Sequence, residues 1–363
     1  MSTSQTTRSL VLKKAATSTS GGVYHDVVIE NRRLDPALQS DEIIIKISAV
    51  AFNHRDLWIR KGLYPGIAFD SVLGGDAVGT VIASTNPNDE LLNKRVFIVP
   101  MQGWQSAPDA PENPLGIPLL LGGLKFPSLG VFSEFIKVSR DEVIEVPEHL
   151  DDHHAAAWPL AGVTAWRAVA VAADVRKGDS VLITGIGGGV ALVVLQLCIA
   201  KGANVYVTSG NNEKIEKAIG LGAKGGVNYK SATWPDDLAR LLQRDGAQLA
   251  AIIDSGGGDL FKKVGASLKA GGKLVCYGMT AEPKITFTMR EVLRNQKLIG
   301  TTMGSKKDLI DATEFIKLHE VKPVVSVVLE SLDDFEKGFE LMQRGDQFGK
   351  IVMKMNRKSS SKL

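Results

Sequence analysis

The sequence predicts an α/β protein in which a doubly wound parallel sheet follows a β-rich unit. Three observations predict it. Up to about Asp152 the chain is a series of short β-branched runs separated by Gly, Pro and Asn turns. Beyond Asp152, strand and helix patterns alternate. A glycine-rich turn stands between the first strand and the first helix of that alternation.

In the first regime the strand signals are 42–50, 77–84, 95–100 and 132–138. A Pro-rich stretch, 101–118, is too polar and broken for a core element and is expected to be a loop. In the second regime the strand patterns are 180–184, 204–208, 226–229, 249–254, 273–277 and 297–302. Helical patterns fill most gaps, at 190–201, 212–221, 234–244 and 259–269, the last ending at Gly271 and Gly272 where a left-handed cap is expected. After a helical pattern at 306–319, strand composition returns at 323–329 and 349–355, so the tail is expected to rejoin the first unit. The expected division is 1–154 completed by 320–363, and 155–319.

Composition bounds the function. At roughly 150 residues per domain, 363 residues suggest two domains. A 44% hydrophobic and 23% charged chain can bury a full core, which excludes disorder and fibrous classes. The balance 43 − 40 = +3 is too mild for a phosphate-backbone footprint, so no nucleic acid partner is expected. Cys198 and Cys276 each lie in an apolar stretch, too few for a disulfide framework or a Cys-based metal site. The longest apolar run, 190–200, falls short of the roughly 20 residues that span a bilayer, so no membrane partner is expected either. The Ser/Thr-rich start is similar in composition to a transit peptide, but it runs into a strand without amphipathic helical spacing. The final Ser361-Lys362-Leu363 matches a peroxisomal import signal, so an import receptor is an expected partner and the peroxisome the expected location, with the cytoplasm as the alternative.

The strongest chemical signal is VLITGIGGGVALVVLQL. Read as G-x-G-x-x-G, it uses Gly185 and Gly187 but places Val190 at the third position. Read as G-x-x-G-x-x-A, it uses Gly185, Gly188 and Ala191, with a small residue at each tight point, and this register is preferred. With the helix opening at about Gly189, either register brings backbone N–H groups and a positive helix end to a pyrophosphate. About twenty residues on, where an NAD site places an acid for the ribose, stands Ser209, followed by neutral Gly210, Asn211 and Asn212, then Glu213 inside the next helix and Lys214. A 2′-phosphate would be repelled by a carboxylate there and attracted by Lys214, so NADP(H) is favoured over NAD(H).

In order along the chain stand N-x-x-D with R-K-G-L-Y-P (53–65), L-G-G-D-A-V-G (73–79), A-G-V-T-A-W (161–166), the cradle, V-N-Y (227–229) and F-G-K-I-V (348–352). This set resembles the zinc-free, quinone-oxidoreductase-like branch of the medium-chain dehydrogenase/reductase superfamily, with coverage from about residue 8 to 355. The resemblance implies a GroES-like β-rich catalytic domain plus a Rossmann-type cofactor domain, an active-site cleft between them and a homodimer. It implies NADPH as hydride donor to a quinone, enone or alkenal. Carried over, Thr164 approaches the nicotinamide carboxamide, Ser209, Lys214 and Tyr229 the 2′-phosphate, and Lys350 the cofactor, with Gly185, Gly187, Gly188, Gly189, Val190 and Gly278 as further cofactor positions. Ala191 departs from the more frequent Gly of the family, and the 101–118 loop is longer than in many members.

Zinc-dependent members need a Cys and a His where this chain has Asn53 and Gly75, and no structural four-Cys loop is present, so no metal is expected. His153 and His154 are adjacent and point to different faces, and His54 is a poor ligand candidate. Neutral hydrogen-bond donors can instead stabilise a developing oxyanion, and Asn53 and Tyr64 are the candidates. Asp56 either orients that region or is a capping or solvated carboxylate. Arg60 and Trp58 are expected to be a surface charge and a core aromatic. The expected function is NADPH-dependent reduction of a quinone or activated double bond in a small-molecule substrate. The alternatives are an enoyl thioester reductase using Lys306 and Lys307 or Arg290 and Arg294 as a basic rim, and a noncatalytic NADPH-binding protein.

Overall fold

A computed structural model describes residues 5–16 and 22–355; Ser361-Lys362-Leu363, on which the import expectation falls, lies outside the described residues. The chain divides into two compact units. One takes the described residues up to Leu160, Ser305–Ile310 and the described residues from Lys322 onward; the other takes Ala161–Gly304 and Asp311–Val321. The first boundary falls six residues beyond the expected 154/155, because the segment carrying fully buried Ala155, Ala156, Ala157 and Trp158 packs with the β-rich unit, to which the Leu160 N–H is tied through Asp76.

The first unit is built on a largely antiparallel sheet. Its strands, in spatial order, are Val325–Leu329, Lys350–Lys354, Glu42–Ala51, Asp76–Ser84, Arg95–Ile98 and Val143–Glu145, with Phe135–Ser139 also pairing Glu42–Ala51. The two C-terminal strands thus return to the first unit, as the strand composition at 323–329 and 349–355 leads one to expect. A separate hairpin pairs Gln5–Lys13 with Asp26–Leu34. Gly79 is demanded by close approach, since a β-carbon there would lie 2.3 Å from the Lys46 carbonyl oxygen across the strand pair. The 101–118 stretch forms one two-residue strand at Met101–Gln102, and Glu112 holds the remainder by accepting backbone N–H groups of Gln105, Ser106 and Ala107 at 2.7 Å each.

The second unit is a six-stranded parallel sheet. Its elements are labelled β1 (Ser180–Ile183), α1 (Gly189–Ala200), β2 (Asn204–Ser209), α2 (Asn212–Gly220), β3 (Gly225–Asn228), α3 (Trp234–Arg244), β4 (Leu249–Asp254), α4 (Leu260–Val264), β5 (Leu268–Cys276) and β6 (Lys297–Gly300). The strand order is β3-β2-β1-β4-β5-β6, the doubly wound pattern whose order reverses beside β1. All four residues of β1 are buried, and α1 buries Ala191 to Leu195, Leu197 and Cys198, as a helix hydrophobic nearly all round must. A second cluster joins Leu182 and Tyr206 of the sheet to Trp234, Leu238, Leu242, Leu260 and Phe261. No helix among the described residues is long and apolar enough to cross a membrane.

Three expectations fail. The helix expected at 259–269 covers only Leu260–Val264, and Gly271 lies within β5 instead of capping a helix. The chain turns at Gly265, where a β-carbon would lie 2.5 Å from the Phe261 carbonyl oxygen, and Leu268 is already drawn into the sheet opposite Leu249. Arg60, expected at the surface, is 4% exposed. Its guanidinium lies 4.2 Å from the Tyr24 ring centroid and 4.5 Å from that of Phe339, while donating to the His25 carbonyl and the Glu336 carboxylate. Trp58 is half-buried instead of a core aromatic.

Candidate functional site

In the second unit the parallel strands all end on one edge, and the turn after each presents its residues there. After β1, Gly185 adopts φ +63° and Gly187 φ +128°, conformations that L side chains rarely take. The conformational demand thus falls on Gly185 and Gly187, the first two glycines of the register not preferred, while Gly188 has an ordinary φ of −73°. Ala191 is fully buried at the helix-packing position, so a small residue serves there without being glycine. Gly188 is the N-cap of α1, which no side chain caps, and a β-carbon at Gly188 would meet nothing within 4 Å. Gly189 and Val190 open the helix, so their amides have no acceptor within it.

The charges around this turn come from two neighbours. Lys214, in the first turn of α2, lies over Gly187: a β-carbon there would be 2.8 Å from its Cδ and 3.5 Å from its Nζ. Its place is thus beside the diphosphate turn instead of the turn after β2. At the latter, Ser209 is 4% exposed and its hydroxyl accepts the Asn211 N–H at 3.2 Å. Over Gly210 lie the Tyr229 hydroxyl and Lys230 Cε, 2.8 and 2.9 Å from where a β-carbon would sit. Lys230 was not singled out from the sequence, although its place next to Tyr229 in V-N-Y-K was a usable signal. No carboxylate follows β2 until Glu213, whose side chain pairs with Lys217 at 2.6 Å.

A pocket of about 280 Å³ opens along the same edge, lined among others by Gly185, Thr208, Tyr229, Trp234, Asp254 and Thr280. The Asp254 carboxylate is held by the Thr184 hydroxyl at 2.5 Å and the amides of Gly256 and Gly257. Farther along, Gly278 follows β5 and its carbonyl accepts the Cys276 thiol at 3.0 Å. Thr164, 6% exposed, has its hydroxyl 3.7 Å from the sulfur of Met303, just past β6. From β3 to β5 there are four inter-strand steps of about 4.8 Å, an edge of roughly 19 Å carrying the expected cofactor residues except Thr164 and Lys350.

The polar residues of the first unit form a different cluster. Strand register creates it: Val352 lies opposite Ala51, so Lys350 falls opposite Asn53, and Ala51 lies opposite Asp76 on the other side. Lys350 Nζ donates to Asn53 Oδ1 at 2.6 Å and to Asp76 Oδ2 at 2.9 Å, and Asn53 Nδ2 donates to the same Asp76 oxygen at 2.8 Å. Asp76 Oδ1 accepts the Leu160 N–H at 2.8 Å. Lys350 is 5% exposed, Asn53 8% and Asp76 0%, so this ion pair lies where Coulomb attraction is strong. The Asn53 amide is engaged at both ends, which leaves it poorly placed for the donor role expected of it. Asp56, fully buried, accepts the Asn53 backbone N–H at 2.8 Å, and burial pushes its carboxyl above the usual range against the pull of Arg55. Asp56 closes the capping box of the helix His54–Arg60 and is not solvated, and the same bond holds the Asn53 backbone, so the orienting alternative stays open. Arg55 donates to the Leu121 and Gly122 carbonyls and lies 5.3 Å from the ring centroid of half-buried Tyr64.

Residues 189–317 match the zinc-binding dehydrogenase family and residues 39–148 the alcohol dehydrogenase GroES-like domain. The chain is 40% identical over 345 residues, 92% of its length and 96% of the relative, to the zinc-type alcohol dehydrogenase-like protein YogA of Leptosphaeria maculans. It is 26% identical over 339 residues, 88% of its length and 94% of the relative, to an acryloyl-coenzyme A reductase of Sulfurisphaera tokodaii. Among solved structures, an NAD-dependent alcohol dehydrogenase is similar with a TM-score of 0.80 at 28% identity, covering 96% of this chain and 100% of that one.

Such relatives imply a nicotinamide dinucleotide and a zinc ion. The residues present fit the first: left-handed glycines, an uncapped helix start and flanking lysines suit a diphosphate. They do not fit the second. The side chain at position 53 is already bound by an ammonium, and a β-carbon at position 75 would face the Arg55 guanidinium at 3.6 Å, so two cations crowd the place a dication would need. Among the described residues no group of three or more His, Cys, Asp or Glu could hold a metal.

Proposed function

Because the chain belongs to the medium-chain dehydrogenase/reductase superfamily, and so is an oxidoreductase with a nicotinamide cofactor, we propose that it is an NADPH-dependent reductase of quinones or α,β-unsaturated carbonyl compounds working without a metal. The observation that carries the reading is the turn after β2, which lacks a carboxylate and has Tyr229 and Lys230 gathered over Gly210. A ribose 2′-phosphate would find a cation and two hydroxyls there, where NAD would find no acid for its free 2′-hydroxyl.

When bound, NADPH supplies a hydride from its nicotinamide ring. The protein's part is to hold and polarise. Gly185 to Val190 and Lys214 hold the diphosphate, Ser209, Tyr229 and Lys230 the 2′-phosphate, and Thr164 and Gly278 the nicotinamide end. In the first unit the Tyr64 hydroxyl remains a candidate donor to the substrate, and Arg55 fixes the Leu121–Gly122 backbone and the Tyr64 ring. We place a homodimer contact at the β6 edge of the sheet, where Leu298 is 39% exposed and nearby Met289, Val292 and Leu293 are 66, 51 and 74% exposed.

The relative named as an acryloyl-coenzyme A reductase favours a thioester substrate as the second reading. Arg290 and Arg294 would not form its basic rim, because their guanidinium groups donate to backbone carbonyls of Phe261, Gly265, Ala266 and Leu268. Lys306 and Lys307 remain for that role. Steady-state assays with NADPH and matched 2-alkenals, quinones and enoyl thioesters separate the readings. Turnover of the free carbonyls at kcat/KM above that of thioesters supports the first, the reverse order supports the second, and no turnover with NADPH bound leaves the noncatalytic protein.

A further inference from the structure

The pocket at the strand ends of the second unit is walled by three separate segments, and one side chain ties them together. Asp254 ends β4, is 2% exposed and lines the pocket. Its Oδ1 accepts the Thr184 hydroxyl at 2.5 Å and the Gly256 N–H at 3.1 Å, and its Oδ2 the Gly257 N–H at 2.8 Å. Thr184 leads into left-handed Gly185, where the turn after β1 begins. The loop after β4 in turn carries the segment after β5. The Ser255 carbonyl accepts the Thr280 N–H and hydroxyl at 2.9 and 3.0 Å, and the Gly256 carbonyl accepts the N–H groups of Ala281 and Glu282 at 3.1 Å each. Gly257 is left-handed at φ +77°, and a β-carbon there would lie 2.1 Å from the Glu282 carbonyl oxygen, so these two walls meet backbone to backbone. Thr184, Gly185, Gly256, Gly257 and Thr280 all line the pocket.

Three donors thus converge on one side chain. A carboxylate satisfies them with two acceptor oxygens, whereas an Asn whose oxygen keeps Thr184 and Gly256 would turn its NH2 on the Gly257 N–H. By charge alone a carboxylate is out of place here, since the pocket includes Gly185 of the turn proposed to hold a diphosphate. Geometry and charge therefore act on cofactor affinity in opposite directions at this position. We propose that Asp254 is a positioning residue for the nicotinamide dinucleotide, holding the turn after β1 and the segments after β4 and β5 in the arrangement the ligand binds, with an effect larger than the repulsion. The inference rests on placing the cofactor along this edge, and it adds a residue that neither the glycine pattern nor the 2′-phosphate contacts include. Walls ordered before the ligand arrives raise affinity because binding does not have to order them. None of the groups that Asp254 holds belongs to Tyr229 or Lys230, so the effect is the same for NADPH and NADH.

The test is calorimetric binding of NADPH and NADH to the full chain, with thermal unfolding alongside, for wild type, Asp254→Asn, Thr184→Val, Thr184→Ser and the double variant Thr184→Val/Asp254→Asn. Asp254→Asn is expected to weaken both cofactors by about tenfold, through loss of a charge-assisted hydrogen bond. Thr184→Val, which keeps the shape and removes the hydroxyl, should lose a similar factor, and Thr184→Ser should stay within about threefold of wild type. The double variant should bind no more than about threefold weaker than Asp254→Asn, because both substitutions break the same link. Affinity that rises in Asp254→Asn would overturn the proposal by making the carboxylate a repulsive charge only. A melting temperature that falls while affinity is unchanged would overturn it by making the cluster purely structural, and losses that multiply in the double variant would do so by making the two side chains independent. If Asp254→Asn does not fold, Thr184→Val against Thr184→Ser gives the same decision. A wild-type chain that binds neither cofactor removes the dinucleotide from this edge, and the inference with it.

Discussion

In the proposed reading, single side chains decide cofactor choice. Lys230 adds a charge beside Tyr229 over Gly210, at the turn where the proposed 2′-phosphate would be held. A hydrogen bond between charged groups is worth about 1.5–3 kcal/mol, so Lys230→Ala should weaken NADPH binding by roughly tenfold or more and leave NADH affinity unchanged. Isothermal titration with the two cofactors reads this directly, and equal losses for both would point to a folding defect instead. At this scale the sequence was legible in identity and less so in arrangement. Ser209 and Lys214 could be placed near the site by spacing and Tyr229 by the family resemblance, but Lys214 lies over Gly187, because a long side chain in the first turn of α2 reaches back across the sheet edge. Asn53 was found because it stands where the resembled zinc-dependent members carry a Cys, whereas its hydrogen-bond partners Asp76 and Lys350 come from 23 and 297 residues away, a separation local spacing does not reveal.

Among the elements, those with a strong local period were the legible ones. The pattern at 234–244 corresponds to α3 and that at 249–254 to β4, because amphipathic spacing and a buried β-branched run are local signals. The helix Phe335–Arg344 also had one, with Phe335, Phe339 and Met342 at helical spacing and Gly345 left-handed after the last turn. Of the hairpin, Gln5–Lys13 was legible as a strand and buries Leu10, Val11 and Leu12 fully, whereas the more polar and exposed Asp26–Leu34 has no such signal and is ordered by pairing with it. Between elements, one clamp can be tested by pH. Asp89, in the turn after Asp76–Ser84, is bound by Arg140 through two contacts at 3.0 and 3.1 Å, by the Leu91 N–H and by the Ser84 hydroxyl. The Arg140 guanidinium, foremost, holds its carboxyl down to about 2. A folded pKa below the unfolded one means stability present above about pH 4 and lost as pH falls toward 2. Asp89→Asn should therefore cost about 1–2 kcal/mol at pH 7 and close to nothing at pH 2, read by urea unfolding at the two pH values.

For the whole molecule, the change of pattern near Asp152 was enough to read two units, and the glycine-rich turn together with the family resemblance to read an oxidoreductase. How its elements share the chain was not readable, because Ser305–Ile310 joins the first unit by long-range packing. The homodimer proposed at the β6 edge has its own test: Leu298→Asp, placing a charge on that partly exposed edge, should convert a dimer to a monomer in light scattering without changing the melting temperature by more than a few degrees. Chemistry and cofactor are joined in a single experiment. The chain, dialysed against a strong chelator, is mixed with NADPH or NADH and a series of 2-alkenals and quinones while cofactor absorbance is followed. Oxidation of NADPH that survives chelation and exceeds that of NADH at least tenfold is the predicted result; activity that disappears with the metal and returns with added zinc would contradict the account.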